Sequence, residues 1–249
     1  MSTTTITYIG GPTAILEYAG LRFITDPTFD APQSYPEPGE DALVKTAGPG
    51  VARADIGAID AVLLSHHAHK DNLDYEGLKL LATGVPTLST RDAATALFGG
   101  SVLGYDPWEI RQLGAVRVTA VPALHGPPGS ERLLGNVIGF VLEAEGEPTV
   151  YVSGDNASLE LVQQIASHFT DIDIALLFAG AVQVDGLPGP LTLSAVDAVR
   201  AAELLGASRV VGLHVEDWQH FTENAADFAA AFAGTGVHIE TPRGVKVSL

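Results

Sequence analysis

The segment LLSHHAHKDN, residues 63–72, constrains the fold and chemistry of this chain more than any other stretch. It places His66, His67 and His69 directly behind an apolar run, although the 249 residues contain only 8 histidines. Asp71 follows in the same segment. Imidazole and carboxylate groups bind divalent transition metals when thiolates are absent, and the chain has no cysteine. The segment therefore predicts a metal site built from nitrogen and oxygen donors.

The same arrangement recurs behind three later segments. The predicted strands RVTAVPAL, TVYVSG and RVVGL run into His125, Asp155 and His214, respectively. Loops converge over the carboxyl ends of strands, so we expect these side chains to meet the first cluster. Three or four such donors satisfy a transition metal. His168, late in a helix, and His238, in a terminal strand, lack this placement and are expected to be structural.

The spacing inside the first cluster permits two ligand pairs. His67 and His69 would leave an extended backbone on the same face, with Asp71 one helical turn after His67. Alternatively, His66 and His69 could share the first turn of a helix. The spacing favours His67 with His69, and both alternatives stay open at this point. Asp26, in TDPTFD, is a further candidate near the site, or a structural cap of the turn before the next proline.

The remaining pattern indicates a layered α/β domain. TAILEYAG and LRFITDP predict a hairpin around Gly20, and the last third alternates helix and strand, with Ser194 as a predicted helix cap. No linker divides the chain, so we expect one domain over residues 1–249. Residues 30–55 are rich in Pro, Gly and Asp. We expect them to lack regular structure and to form a lid or rim over the site.

Charge and hydropathy disfavour two classes of partner. The chain has 30 acidic and 13 basic residues, a formal net charge of −17, which repels polyanions and argues against nucleic-acid binding. A small anionic substrate stays compatible, because a bound cation reverses the local potential. The longest apolar run, Ile174 to Val182, is too short to cross a bilayer, and no signal peptide is visible. We therefore expect no membrane contact and a cytoplasmic location.

Five motifs together resemble the metallo-β-lactamase superfamily. HAHKDN resembles a variant of its H-x-H-x-D-H signature; the other motifs are VPALHG, YVSGDN, GLHVEDWQHF and the opening YIGGPTAILEYAGLRFITDPTFD. The nearest branch is similar to the L-ascorbate-6-phosphate lactonase-like metal-dependent hydrolases. The resemblance covers nearly the whole chain and implies a four-layer αββα sandwich of mixed sheets flanked by helices.

The resemblance also implies a ligand set for two metal positions. The ligands carried over are His67, His69 and His125 for the first position, Asp71 and His214 for the second, and Asp155 as a bridge. Asn72 stands where the family usually has its third signature histidine, so the second position is expected to be empty, weak or suited to a harder ion. Some members of the branch keep histidines matching His66 and His69, which makes His66 the alternative ligand. The expected cofactor is one or two Zn²⁺, with Mn²⁺ or Fe as alternatives.

The implied function is metal-dependent hydrolysis of a small-molecule lactone, other ester, amide or phosphoester. Asp71 would orient the nucleophile or take its proton, and Asn72 would hydrogen-bond substrate or water. His220, between Trp218 and Phe221, would add a polar group to the pocket. One alternative is a catalytically degenerate metal- or ligand-binding module, which Asn72 keeps open; another is a nuclease of the same superfamily, which the charge disfavours. Members of the branch often assemble, so a homo-oligomer also stays open.

Overall fold

The computed structural model describes residues 3–36, 42–97, 101–184 and 186–249. In chain order the strands are β1 (Thr5–Gly10), β2 (Thr13–Tyr18), β3 (Leu21–Thr25), β4 (Gln33–Tyr35), β5 (Leu43–Lys45), β6 (Ala61–Leu63), β7 (Thr87–Thr90), β8 (Val102–Tyr105), β9 (Ile110–Leu113), β10 (Val116–Ala123), β11 (Val137–Glu143), β12 (Val150–Val152), β13 (Ile174–Phe178), β14 (Arg209–Leu213) and β15 (Lys246–Ser248). The helices are α1 (Tyr75–Leu81), α2 (Arg91–Ala96), α3 (Glu131–Leu134), α4 (Leu159–His168), α5 (Ala195–Leu205) and α6 (Ala225–Ala231). No helix in these ranges is long and apolar enough to cross a membrane.

Two mixed sheets form the centre of the described chain. The first has the order β15-β1-β2-β3-β6-β7-β8, with antiparallel pairs from β15 to β3 and parallel pairs from β3 to β8. The second has the order β14-β13-β12-β11-β10-β9, parallel from β14 to β12 and antiparallel beyond. The predicted hairpin is therefore present, since β2 pairs with β3 through Tyr18 and Leu21 around Gly20.

Three apolar clusters show how the sheets and helices pack on one another. One cluster joins the facing sides of the two sheets, for example Phe23 of the first and Phe140 of the second. A second packs the outer side of the second sheet on α4, α5 and α6, and a third packs the outer side of the first sheet on α1. Helices therefore flank two stacked sheets, and the predicted αββα class of mixed sheets is confirmed.

Helix ends follow the sequence signals in part. The Ser194 side chain accepts from Asp197 N at the start of α5, as predicted, and Gly206 closes this helix at φ 69°, a conformation that favours glycine. The predicted glycine stop of α2, at residues 99–100, lies outside the described residues. The four-residue α3 was not predicted, because a single turn carries no helical periodicity.

The expectation that residues 30–55 lack regular structure is wrong in part, because β4 and β5 pair as a small antiparallel sheet. Residues 37–41 of the segment lie outside the described ranges. Thr46 N donates to Asp217 O at 2.7 Å, and Gln219 N donates to Val44 O at 3.0 Å. These bonds fasten β5 to the loop after β14. The strands β4 and β5 therefore form a rim beside residues 217–219.

Candidate metal centre

The strand β6 delivers the histidine-rich loop, but the chain leaves the extended conformation soon after Leu63. Residues 67–72 form bends and a turn, in which Asn72 N and Leu73 N both donate to His69 O, at 3.2 and 3.0 Å. The argument that residues two apart share a face requires an extended backbone. It therefore does not apply between His67 and His69.

The structure brings His66, His69 and His125 together. Each offers one ring nitrogen, and these three nitrogens all lie within 4.8 Å of one another. His66 Nε2 is 2.9 Å from His69 Nδ1. His66 and His69 come from the loop after β6 in one sheet and His125 from the loop after β10 in the other, so the group spans the gap between the sheets.

His67, which the spacing favoured over His66, is not part of this group. Its ring is half-buried, whereas His66 is fully buried beside His69 and His125. Partial burial lowers the pKa of His67, and the nearby Asp92 acts in the opposite direction. The two clustered histidines of this loop are three residues apart in the sequence, whereas the pair favoured from the sequence is two apart. The bend after β6 allows the wider spacing.

Hydrogen bonds behind the rings fix which nitrogen faces the centre. Ser65 Oγ donates to Asp26 Oδ1 at 2.7 Å, so it accepts from His66 Nδ1 at 3.0 Å. His125 Nδ1 lies 2.9 Å from Leu191 O and must donate to it. Both rings therefore carry their lone pair on Nε2, and that of His66 faces His69 Nδ1 at 2.9 Å. Such backing bonds orient metal-binding histidines in proteins.

Asp26 thus acts one step behind the centre rather than within the group of ring nitrogens. Its Oδ1 also accepts from Ser65 N at 2.9 Å, and its φ of 25° is unusual for a residue other than glycine. Burial raises the pKa of this carboxyl well above its usual range, and Asp155 adds to the effect. Neither Ser65 nor the carbonyl of Leu191 was identified from the sequence, because neither carries a ligand-type side chain.

Four further side chains form a second half beside this group: Asp71, Asn72, Asp155 and His214. Asp155 lies between the halves, with Oδ2 3.7 Å from His125 Nε2 and Oδ1 3.7 Å from His214 Nε2. His214 Nε2 is 3.5 Å from Asp71 Oδ2. Asn72 Nδ2 donates to Asp155 Oδ1 at 3.1 Å. The residues that the strand-end argument predicted therefore lie together at one edge of the two sheets.

His220 reaches the second half from the loop after β14. Its Nε2 donates to Asp71 Oδ2 at 3.1 Å. Its ring packs on Phe221 and, at 6.2 Å between centroids, on Trp218, which is buried. The His220 side chain keeps 25% of its surface exposed, so it borders the approach from solvent.

Burial and neighbouring charges set the protonation of these groups. Burial lowers the pKa of His66 well below its usual value, with His69 and His125 adding to the effect, which keeps its ring neutral. Burial acts to raise the pKa of Asp71, but His214 and His220 hold it well below the usual range. Conversely, burial acts to lower the pKa of His214, and Asp155 and Asp71 raise it. The centre therefore combines the neutral imidazole of His66 with the ionised carboxylate of Asp71.

These donors fit a divalent ion at His66, His69 and His125. Lone pairs on neighbouring ring nitrogens repel one another when no proton or cation lies between them, and neutral imidazole is a common ligand of transition metals. In the second half, both ring nitrogens of His214 and the Oδ1 of Asn72 are buried without a hydrogen-bond partner. Buried polar atoms without partners are costly, which marks this edge as a place for a bound species.

Two cavities lie near the loops of the centre. One of about 230 Å³ is bordered by His125, Leu124 and residues 90–92. A larger one of about 360 Å³ is lined by residues 215–218 and 221–225 and includes none of the three clustered histidines. Of these two cavities, the smaller one touches a predicted ligand, His125.

Comparisons with known proteins identify the family of the chain. A family model described as a beta-lactamase superfamily domain matches residues 21–215. A UPF0173 metal-dependent hydrolase from Pyrococcus furiosus is 27% identical over 180 residues, covering 70% of this chain and 74% of its own. A protein of the same name from Exiguobacterium sp. is 27% identical over 248 residues, covering 97% of this chain and 99% of its own.

Solved structures share the fold. A possible metal-dependent hydrolase from Veillonella parvula has a TM-score of 0.86 at 18% identity, and the match covers 100% of both chains. An isothiocyanate hydrolase from Delia radicum gut bacteria has a TM-score of 0.84 at 21% identity, covering 98% of both chains. At these identities the likeness concerns the fold.

Proposed function

Because the chain belongs to the beta-lactamase superfamily, we propose that it is a metal-dependent hydrolase of a small molecule, acting on a lactone, other carboxylic ester, amide or phosphoester. The observation that carries this proposal is the convergence of His66, His69 and His125, with two of the rings held from behind. The curated relatives named as metal-dependent hydrolases support the same reaction class. A lactone heads the series, because the sequence motifs resemble the lactonase-like branch.

The cation would be held by the three clustered histidines, with Asp155 Oδ2 beside His125. A divalent ion supplies Lewis-acid polarisation of the scissile carbonyl or phosphoryl group and a lowered pKa for the attacking water. Zn²⁺ suits a site rich in imidazole, and Mn²⁺ or Fe remain alternatives.

Asp71 would orient the attacking water. Its carboxylate stays ionised, because His214 and His220 hold its pKa well below the usual range, so it accepts a hydrogen bond more readily than it accepts a proton. The bond from His220 Nε2 fixes the position of Asp71 Oδ2 and leaves Oδ1 free of this partner. Asn72 would act through Asp155, whose Oδ1 it holds.

The limited exposure of the centre to solvent supports a small substrate. Six of the described residues at the centre are buried, namely His66, Asp71, Asn72, His125, Asp155 and His214, whereas His69 and His220 are partly exposed. A substrate would therefore reach the centre past His69 and His220. The cavity beside His125, about 230 Å³, suits a small molecule rather than a polymer.

The test is a substrate panel with protein purified without chelators and assayed with added Zn²⁺ or Mn²⁺. The panel contains lactones, β-lactams and phosphodiesters, together with an isothiocyanate, because one protein of the same fold is named for that activity. We expect turnover of at least one class that a chelator abolishes and added metal restores. A protein that binds metal but turns over nothing in the panel would favour the degenerate binding module.

A further inference from the structure

The second half of the centre is already connected by hydrogen bonds within the protein. Asn72 Nδ2 donates to Asp155 Oδ1 at 3.1 Å, and His220 Nε2 donates to Asp71 Oδ2 at 3.1 Å. These are the two carboxylates that a second ion would need. One oxygen of each carboxylate therefore accepts a hydrogen bond from an N–H group, at a place where a cation could otherwise bind.

Asn72 is the residue that separates this chain from a two-ion arrangement. An imidazole at this position would offer a nitrogen lone pair, whereas an amide nitrogen has none and an amide oxygen is a weaker ligand for zinc. The amide is held with its nitrogen toward Asp155, because the reverse orientation would set two acceptor oxygens against each other. Its Oδ1 is buried without a partner.

Compactness separates the two halves as well. Across residues 3–36, 42–97, 101–184 and 186–249, the group of His66, His69 and His125 is the one set of three or more ligand-type side chains whose donor atoms all lie within 4.8 Å. Asp71, Asp155 and His214 approach one another only in pairs, at 3.5 and 3.7 Å. Three donors of one ion must all be close to each other.

From this geometry we propose that the centre holds one ion, at His66, His69 and His125, and that Asn72 sets this number. The second half then binds a polar group of the substrate instead of a cation. His214 would supply the contact: it is fully buried, its Nδ1 has no hydrogen-bond partner, and its Nε2 faces Asp71 Oδ2 at 3.5 Å and Asp155 Oδ1 at 3.7 Å. This inference rests on the proposed hydrolase function and specifies how its site divides the work between metal and protein.

The experiment measures stoichiometry by equilibrium dialysis against Zn²⁺ alone and Mn²⁺ alone, followed by elemental analysis. We expect one equivalent in the unmodified protein and two in Asn72→His. The second equivalent should bind to Asn72→His more tightly than any second equivalent detected in the unmodified protein. The difference in affinity should exceed the roughly 10–100-fold effect of a hydrogen bond to a metal ligand. Gln163→His, at an exposed position on α4, is the control and should keep one equivalent.

Because Asn72 is fully buried, the larger imidazole could prevent folding, so the isosteric Asn72→Asp serves as a second variant. It removes the N–H group on Asp155 and adds a carboxylate, so it too should gain a second equivalent, most clearly with Mn²⁺. Two equivalents of similar affinity in the unmodified protein would overturn the inference. A single equivalent in both folded variants would also overturn it. Zero equivalents in the unmodified protein would instead overturn the proposed hydrolase function.

Discussion

The carboxylate of Asp71 and the imidazole of His220 meet at 3.1 Å although 149 residues separate them along the chain. The first follows β6 in one sheet, and the second lies on the loop after β14 in the other. His220 does not belong to the compact histidine group, so its effect on the reaction would pass through Asp71.

We predict that His220→Ala lowers kcat by roughly 10–100-fold, the usual effect of removing a hydrogen bond behind a working group, with little change in KM. His220→Gln should recover part of the loss, because its amide N–H can still donate to Asp71. Steady-state kinetics on any substrate found in the panel would check this, with metal content measured in parallel. His168→Ala, at an exposed helix position, is the control. Equal kinetics for His220→Ala and the unmodified protein would contradict the positioning role.

The neighbouring residues His66 and His67 give a sharp test of the ligand assignment. We expect His66→Ala to remove bound metal and His67→Ala to retain it, because only His66 lies with His69 and His125. His69→Ala should behave like His66→Ala. Elemental analysis of the purified variants measures the difference. Loss of metal in His67→Ala with retention in His66→Ala would restore the ligand pair favoured by spacing.

We expect Ser65 to affect metal affinity through its hydrogen bond with His66. Ser65→Ala removes the acceptor of His66 Nδ1 and one donor to Asp26, so we expect metal affinity to fall by about 10–100-fold while the fold is retained. Competition with a chromophoric chelator gives the dissociation constant. Ser89→Ala is the matched control, since Ser89 is also buried but its hydroxyl has no partner. Similar affinities for the two variants would argue against the backing role of Ser65.

The rim depends on a buried ion pair. Lys45 Nζ lies 2.9 Å from Asp74 Oδ2, and the two side chains are 2% and 0% exposed. Lys45→Met would leave Asp74 as a buried charge without its cation, and such changes typically cost about 3–5 kcal/mol. Urea denaturation would measure this loss. Lys79→Met, at an exposed lysine beside Glu76, should leave the midpoint nearly unchanged.

The charge of the chain predicts weak binding to nucleic acid. With a formal net charge of −17, we expect no retained binding of a labelled oligonucleotide at moderate salt. Fluorescence anisotropy with single-stranded and double-stranded probes is a direct measurement. Salt-sensitive binding in the micromolar range would revive the nuclease hypothesis.

Strand-end reasoning predicted much of this centre from the sequence. Ligand-type residues behind β6, β10, β12 and β14 meet at one edge, because sheet packing carries the ends of those strands to the same place. The choice between His66 and His67 could not be predicted, since it depends on where the backbone bends after β6. The bonds from Ser65 and to Leu191 O join residues whose types carry no metal signal. The β4–β5 pair was missed because its short strands lie in a segment rich in Pro and Gly.

The gap between the sheets has a mechanical consequence. His66 and His69 follow a strand of one sheet, whereas His125 follows a strand of the other. A cation bound by all three would therefore cross-link the two sheets. Anything that binds the folded form alone raises its resistance to unfolding in proportion to the logarithm of ligand concentration. Bound metal should therefore raise the free energy of unfolding, and its removal should weaken the contact between the two sheets.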